Sequence, residues 1–256
     1  MTLMMHGLFS LAGRSAIITG STRGIGRAIA EAMIAAGARV VVSSEDRADT
    51  ERTSRELAVP GLPCDVSDDA NLLRLVDFAL SEHGHLDVLV CNAGIPGTAG
   101  PFSGIDMTDY AHVMAINLRS QVMLCNLTLP HITAAGGGSV ILMSSLAGLR
   151  GNGHLNSYAL AKAGVAQLAR NLAVECGPSA IRVNAISPGF IKTDLSRPLM
   201  AKTQFMERRL AMTPLRRAGT VTEVAGAAVF LASPAAGFIT GHNLVVDGGT
   251  LISDGS

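Results

Sequence analysis

The chain has 256 residues, enough to bury a sizeable core as one α/β domain. Charged residues make up 16% of it against a usual ~25%, hydrophobic residues 48%, and the formal net charge is zero. That balance gives no electrostatic case for nucleic acid or an acidic membrane surface, and no run reaches the ~18 consecutive apolar residues of a membrane span.

The opening MTLMMHGLFSLAGRSAIITG lacks a basic segment followed by a long apolar run, so no signal peptide is expected. Cys64, Cys91, Cys125 and Cys176 are irregularly spaced without CxxC. They read as buried free thiols rather than a zinc site or disulfide framework, and the chain as a cytoplasmic protein.

Short apolar runs then alternate with helical patterns. Residues 15–18 precede a helix at 24–36, 39–42 precede one at 46–57, and the short LPC at 62–64 precedes one at 68–83. The run 88–90 is followed by a long helical stretch at 108–135 and by 140–143. A helix at 156–175, a strand at 182–186, a helix at 221–231 and a strand at 243–246 complete the series. Leu72, Leu73, Val76, Ala79 and Leu80 recur at helical spacing. The continuous apolar Val40, Val41 and Val42 suit a parallel sheet covered on both faces. The alternation predicts one domain over 1–256, a doubly wound, Rossmann-like parallel sheet in three α/β/α layers. Residues 136–138, all glycine, read as a helix end and turn.

Between the first strand and helix lies TGSTRGIG, residues 19–26. Glycine permits a tight turn and lets backbone N–H groups approach a phosphate that a Cβ would block. The helix starting at Gly24 adds the positive end of its dipole. Gly20, Gly24 and Gly26 are spaced GxxxGxG, not the common GxGxxG. The context favours nucleotide binding over a structural turn.

That loop resembles the cofactor loop of the compact, single-domain branch of the short-chain dehydrogenase/reductase family. Matching motifs follow along nearly the whole chain. CNAG at 91–94 is similar to the family's NAG motif, and Cys64-Asp65-Val66 to its adenine-holding site. Asn117 matches the active-site asparagine, Ser145 stands thirteen residues before Tyr158, and SPGFIKTD at 187–194 resembles the turn that holds nicotinamide. The resemblance implies a homotetrameric, NAD(P)-dependent oxidoreductase interconverting an alcohol and a carbonyl, with Asn117, Ser145, Tyr158 and Lys162 catalytic. The implied cofactor contacts are Gly20, Ser21, Thr22, Arg23, Gly24, Ile25, Gly26, Ser44, Glu45, Asp65, Val66, Asn92, Ala93, Gly94, Tyr158, Lys162, Pro188, Gly189, Ile191 and Thr193. No metal is implied. A dinucleotide-binding regulatory protein without catalysis is the alternative from another class; intact Asn117, Ser145, Tyr158 and Lys162 argue against it. A sugar-nucleotide epimerase usually needs a longer substrate region.

Tyr158 and Lys162, in NSYALAKAG, are four residues apart and so share one helical face. Alone, the pair reads more readily as a packed phenol and a solvated lysine on an amphipathic helix. Beside the other motifs it has a chemical use. A free phenol has a pKa near 10, and a cation held close favours phenolate. Lowering it to about 7 takes roughly 4 kcal/mol of differential stabilisation, which Lys162 and an oxidised nicotinamide ring would share. Tyr158 would then exchange a proton with the substrate oxygen while Ser145 hydrogen-bonds it. The resemblance gives Asn117 the positioning of a water and Lys162 the ribose hydroxyls. Ser144 is the expected cap of the following turn.

Residues 190–213 resemble a mobile substrate lid, with Met200, Phe205, Met206, Leu210 and Met212 as its adaptable wall; a plain amphipathic helix is the alternative. Arg150, Lys192 and Arg197 appear scattered, without a charged cluster that demands a phosphate or carboxylate on the small-molecule substrate. His154 is open between loop and substrate contact, and His83 and His85 read as surface groups. Glu45, nineteen residues after Gly26, favours NAD, whereas Arg23 and Arg47 would suit NADP. The charge deficit predicts self-association through the helices at 108–135 and 156–175.

Overall fold

The structure is a computed structural model that describes residues 7–253. Residues 1–6, on which part of the leader reading rests, lie outside the described residues. Six parallel strands form one sheet: β1 (Ser15–Thr19), β2 (Arg39–Ser43), β3 (Val88–Cys91), β4 (Gly138–Met143), β5 (Ile181–Pro188) and β6 (Asn243–Val246), in the order β2-β1-β3-β4-β5-β6. The helices are α1 (Gly24–Ala35), α2 (Arg47–Leu57), α3 (Asp69–His83), α4 (Met107–Met114), α5 (Ser120–Ala134), α6 (Asn156–Cys176), α7 (Arg197–Met200), α8 (Thr203–Ala211) and α9 (Val221–Ala232).

Strand residues point alternately to two faces, so a doubly covered sheet needs apolar groups at every position. On one face Ile17, Leu89, Val140, Leu142 and Val183 meet α3, α5 and α6 through Leu72, Leu75, Leu124, Ile132 and Val165. On the other, Ile18, Val90 and Ile141 meet α1 and α9 through Ile29, Met33, Val224 and Leu231. This is the expected three-layer, doubly wound architecture. All four thiols are free and buried. Among the described residues no helix is long and apolar enough to cross a membrane.

Two elements differ from expectation. The LPC run is not a strand: it lies along the free edge of β2, where Leu62 N donates to Val42 O at 3.1 Å and Cys64 N to Ser44 O at 2.8 Å, but only Gly61 forms a bridge. Asp65 and Asp68 then turn the chain away, Asp65 accepting from the N–H of Ser67 and Asp68 capping α3. The stretch at 108–135 is not one α-helix. A π-helical turn at Ala115–Arg119 separates α4 from α5, and it contains Asn117. The histidine reading also changes at one position. His83 is buried, with its Nδ1 2.8 Å from Ser15 Oγ, and burial, followed by the charge of Arg39, lowers its pKa; His85 stays exposed against Asp87.

Successive strands lead outward from β1 in opposite directions, to β2 on one side and β3 on the other. A crevice therefore opens beyond the carboxyl ends of β1 and β3, the usual place for a ligand in such a sheet. Because the core depends on groups like Leu89, fully buried on one face, Leu89→Ala is expected to cost about 2–5 kcal/mol. Urea unfolding at fixed protein concentration measures it.

Candidate active site

The crevice is stitched together by backbone and small side chains. Asn92, just past β3, donates its Nδ2 to Thr19 O and Gly20 O at 3.0 Å each. Thr19 Oγ1 accepts from the backbone N–H of Asn92 and Ala93 at 3.1 Å each. A Cβ on Gly26 would lie 2.2 Å from Gly20 O and 2.3 Å from Asn92 Nδ2, so no other residue fits there without moving the loop. Gly20 has φ +62, and a Cβ on it would stand 2.9 Å from Ala93 Cα. Ser21 is structural: its N–H donates to Ser43 O, its hydroxyl to Ile18 O, and it accepts from Ser43 N. Thr22 is buried beside it, and Ile25 packs on the α1–α9 core.

Arg23 occupies the N-cap of α1 and supplies no side-chain acceptor, so no side chain caps the helix's first amides. Such an end suits a phosphate. Thr193 reaches the same place, its methyl carbon lying 3.7 Å from where a Gly24 Cβ would stand. Its hydroxyl is held by Ser196, whose backbone N–H donates to it at 3.2 Å. Pro188, Gly189 and Ile191 carry the chain there from β5; Gly189 N donates to Val246 O, and its Cα packs against Asp247. At the other end Ser44 is buried and its hydroxyl donates to Glu45 at 3.2 Å. Glu45 also pairs with Arg23 at 3.7 Å, whereas Arg47 turns along α2 to Glu51 at 3.5 Å. Asp65 is exposed and Val66 buried just beyond them.

The four candidate catalytic residues converge beside this crevice. Lys162 on α6 is 3% exposed and donates its ammonium to Met143 O, at the end of β4, at 2.6 Å. Its Nζ lies 5.6 Å from the centroid of the Tyr158 ring one turn earlier. Burial pulls the ammonium from its ordinary 10.5 down to about 8. Tyr158 is half-buried; burial raises its phenol above 10, and a hydrogen bond with Ser145 works the other way. Asn117 is fully buried, accepting from Ile95 N at 3.0 Å and donating to Ile95 O at 2.8 Å. Gly94 brings the sides together: a Cβ on it would stand 2.6 Å from Asn117 Oδ1 and 3.4 Å from Lys162 Nζ.

Residues 20–250 match the family model described as enoyl-(acyl carrier protein) reductase. A cis-4-hydroxycyclohexanecarboxylate dehydrogenase of Sinomonas cyclohexanicum is 39% identical over 94% of this chain and 97% of its own. A 7alpha-hydroxysteroid dehydrogenase of Escherichia coli is 38% identical over 93% and 94%. Among solved structures, a 7alpha-hydroxysteroid dehydrogenase complexed with NADH and 7-oxo glycochenodeoxycholic acid superposes with a TM-score of 0.89, at 37% identity, over 95% of this chain and 96% of that one. This chain belongs to the short-chain dehydrogenase/reductase family. Like the dehydrogenases of that family, it is an NAD(P)-dependent oxidoreductase acting between alcohols and carbonyls.

Two expectations about this site, on Ser144 and on Arg150, are corrected by the geometry. Ser145, not Ser144, caps the short turn at Leu146–Gly148, accepting from Ala147 N at 3.1 Å; Ser144 instead donates to Lys162 O at 2.7 Å and pins α6. The side chain of Asn117 is engaged with Ile95, and its main-chain carbonyl accepts from Gln121 Nε2 at 2.9 Å. Arg150 is not scattered: its charge acts on Arg209 of α8, a residue the sequence reading passed over. One signal was available, since Arg209 stands four residues after Phe205 with no acid at helical spacing. His154 sits in an exposed turn, its N–H on Asn152 and its carbonyl accepting from Gly100 N.

The depressed Lys162 has a consequence for stability. Below about pH 8 folded and unfolded chains both hold the proton, and the fold bears the full cost of a buried ammonium. Between about 8 and the ordinary 10.5 only the unfolded chain stays protonated, so stability rises with pH. Wild type should therefore gain about 3 kcal/mol relative to Lys162→Met across that window. Denaturant titrations of both proteins on either side of it measure the gain.

Proposed function

We propose that the protein oxidises a small secondary alcohol, or reduces the matching ketone, with Tyr158 as the proton-transferring group. The observation that carries this reading is the convergence of Ser145, Tyr158 and Lys162 beside an uncapped helix end and a glycine loop no larger residue fits. Residues 20–26, Asn92, Ala93, Gly94 and Thr193 would hold the dinucleotide, which when bound supplies the hydride acceptor or donor. Tyr158 gives its proton to the developing alkoxide in reduction and takes it back in oxidation. Ser145 holds the same oxygen. Lys162 keeps a positive charge under the phenol. Since burial raises Tyr158 before any ligand arrives, the protein alone stores it as the proton donor.

Four further readings belong to this proposal. NAD is the preferred cofactor, with NADP possible: Glu45 faces the end of β2 between Ser44 and Arg23, Arg47 is drawn to Glu51, and a similar protein has been solved with NADH. A carboxylate there accepts from ribose hydroxyls and repels a 2′-phosphate. Residues 190–213 form a substrate lid of two short helices, α7 and α8, on the single domain. The chain assembles as a homo-oligomer, a tetramer, through α4, α5 and α6, where Met107, Val122, Leu160 and Val174 are exposed. It works in the cytoplasm, consistent with its free thiols.

Tyr158→Phe is expected to abolish turnover of any active alcohol while cofactor affinity changes less than about threefold, under 0.7 kcal/mol. Lys162→Met should impair both. Steady-state rates and titration of reduced cofactor measure these, and substantial activity in Tyr158→Phe would overturn the reading. The kcat/KM ratio between NAD and NADP should favour NAD in wild type and move toward NADP in Glu45→Ala. Light scattering is expected to give a multiple of the monomer mass.

A further inference from the structure

Arg209 is the feature of the lid that packing alone explains least. Its guanidinium carbon lies 5.6 Å from the ring centroid of Phe190 and 5.6 Å from that of Phe205, and the two rings meet edge to face at 5.6 Å. Aromatic faces attract a cation but accept no hydrogen bond with the strength of a carboxylate. Among the described residues, most arginines find an acidic, amide or carbonyl partner, such as Arg119 on Asp69, Arg217 on Glu223 and Arg182 on Leu231 O. Arg55 and Arg208 have none but are exposed. The half-buried arginines without an acceptor are Arg209 and Arg150, and they act on each other. The charges felt by Arg209 are Arg150 and Arg208, both repulsive, and burial is the larger cost.

Both features lie on segments that leave the sheet at the same end as the candidate catalytic residues. Phe190 follows the Pro188–Gly189 turn at the end of β5, and Arg150 follows the short turn that Ser145 caps. The cavity beside the start of α1, about 700 Å³, is lined by Gly24, Lys192 and Thr193, and Arg209 is not among its lining residues. A half-buried cation with unused donors lacks an anion. The planar fork matches a carboxylate, and the two phenyl rings offer an apolar wall beside it.

Resting on the alcohol–carbonyl reaction proposed above, we infer that the substrate is a hydroxy or keto acid. Its carboxylate is received by Arg209 between Phe190 and Phe205, with Arg150 adding charge, and an apolar carbon frame links it to the reacting oxygen. The geometry makes Arg209 a specificity residue, distinct from the groups that move the proton.

Calorimetry on protein loaded with NAD, which has no hydride to give a ketone, tests this with 7-oxooctanoate and 4-oxocyclohexanecarboxylate, each against its methyl ester. At least one acid is expected to bind wild type about tenfold or more tighter than its ester, about 1.4 kcal/mol. Arg209→Met should erase the difference and Arg150→Met reduce it, with ester affinity within about twofold of wild type. Equal affinity of acid and ester in wild type overturns the inference. So does an equal loss for both in Arg209→Met, which is what a purely packing role produces. The underlying reaction is read separately, from turnover of the neutral esters: activity retained in Tyr158→Phe refutes the proton-transfer reading, while the acid–ester gap still decides this one.

Discussion

A buried ammonium organises the site. Lys162 is almost fully removed from water, and among the described residues its ammonium donates to Met143 O at the end of β4. Removing a charge from water is costly unless its donors are used, which is why burial draws this amine to about 8. Its neighbours are arranged round that cost. Ser144 ties the Lys162 carbonyl down, Gly94 leaves room for the ammonium where a Cβ would crowd Asn117, and Tyr158 lays its ring alongside. Two further donors of the ammonium remain for ligand groups.

The sheet supplies the rigidity that such a site needs. Each contributing segment leaves the carboxyl end of a different strand: the glycine loop after β1, Asn92 to Gly94 after β3, Ser144 and Ser145 after β4, and Pro188 to Thr193 after β5. Because these strands are neighbours in the sheet and buried on both faces, their ends are fixed relative to one another by two apolar layers. The segment at 190–213, proposed above as a lid, is different in kind. It is two short helices held by a few polar contacts, such as Ser196 on Ile191 and Thr213 on Thr250, and by the Phe190–Phe205 contact. Few apolar contacts make a segment cheap to open, which suits a substrate cover.

Electrostatics divide the two halves of the crevice. On the cofactor side charges are already satisfied in pairs, Arg23 with Glu45 and Arg27 with Glu31 and Glu56. Where the carboxylate is proposed to bind, the charges acting on Arg209 are those of Arg150 and Arg208, with no acid among them. A chain whose net charge is zero thus concentrates an uncompensated positive spot at one place, where a neutral ligand would leave it unbalanced.

The sequence by itself determined the alternation of strands and helices, the parallel sheet, and the glycine loop. Periodicity and turn chemistry are local, and a doubly buried strand such as Val40–Val42 declares itself by having no polar face. The Tyr158–Lys162 pair was equally legible, because helical spacing puts residues four apart on one face. What only the tertiary structure decided were matters of contact between distant segments. The LPC run could not be told from a strand, since its fate depends on the free edge of β2. The π turn carries Asn117, whose side chain bonds Ile95, twenty-two residues away. Arg150 and Arg209 lie far apart in the chain, and their separate windows carry no charge pattern. They become one feature only when the fold brings the loop after β4 near α8, where burial removes water that would otherwise screen the charge of Arg209.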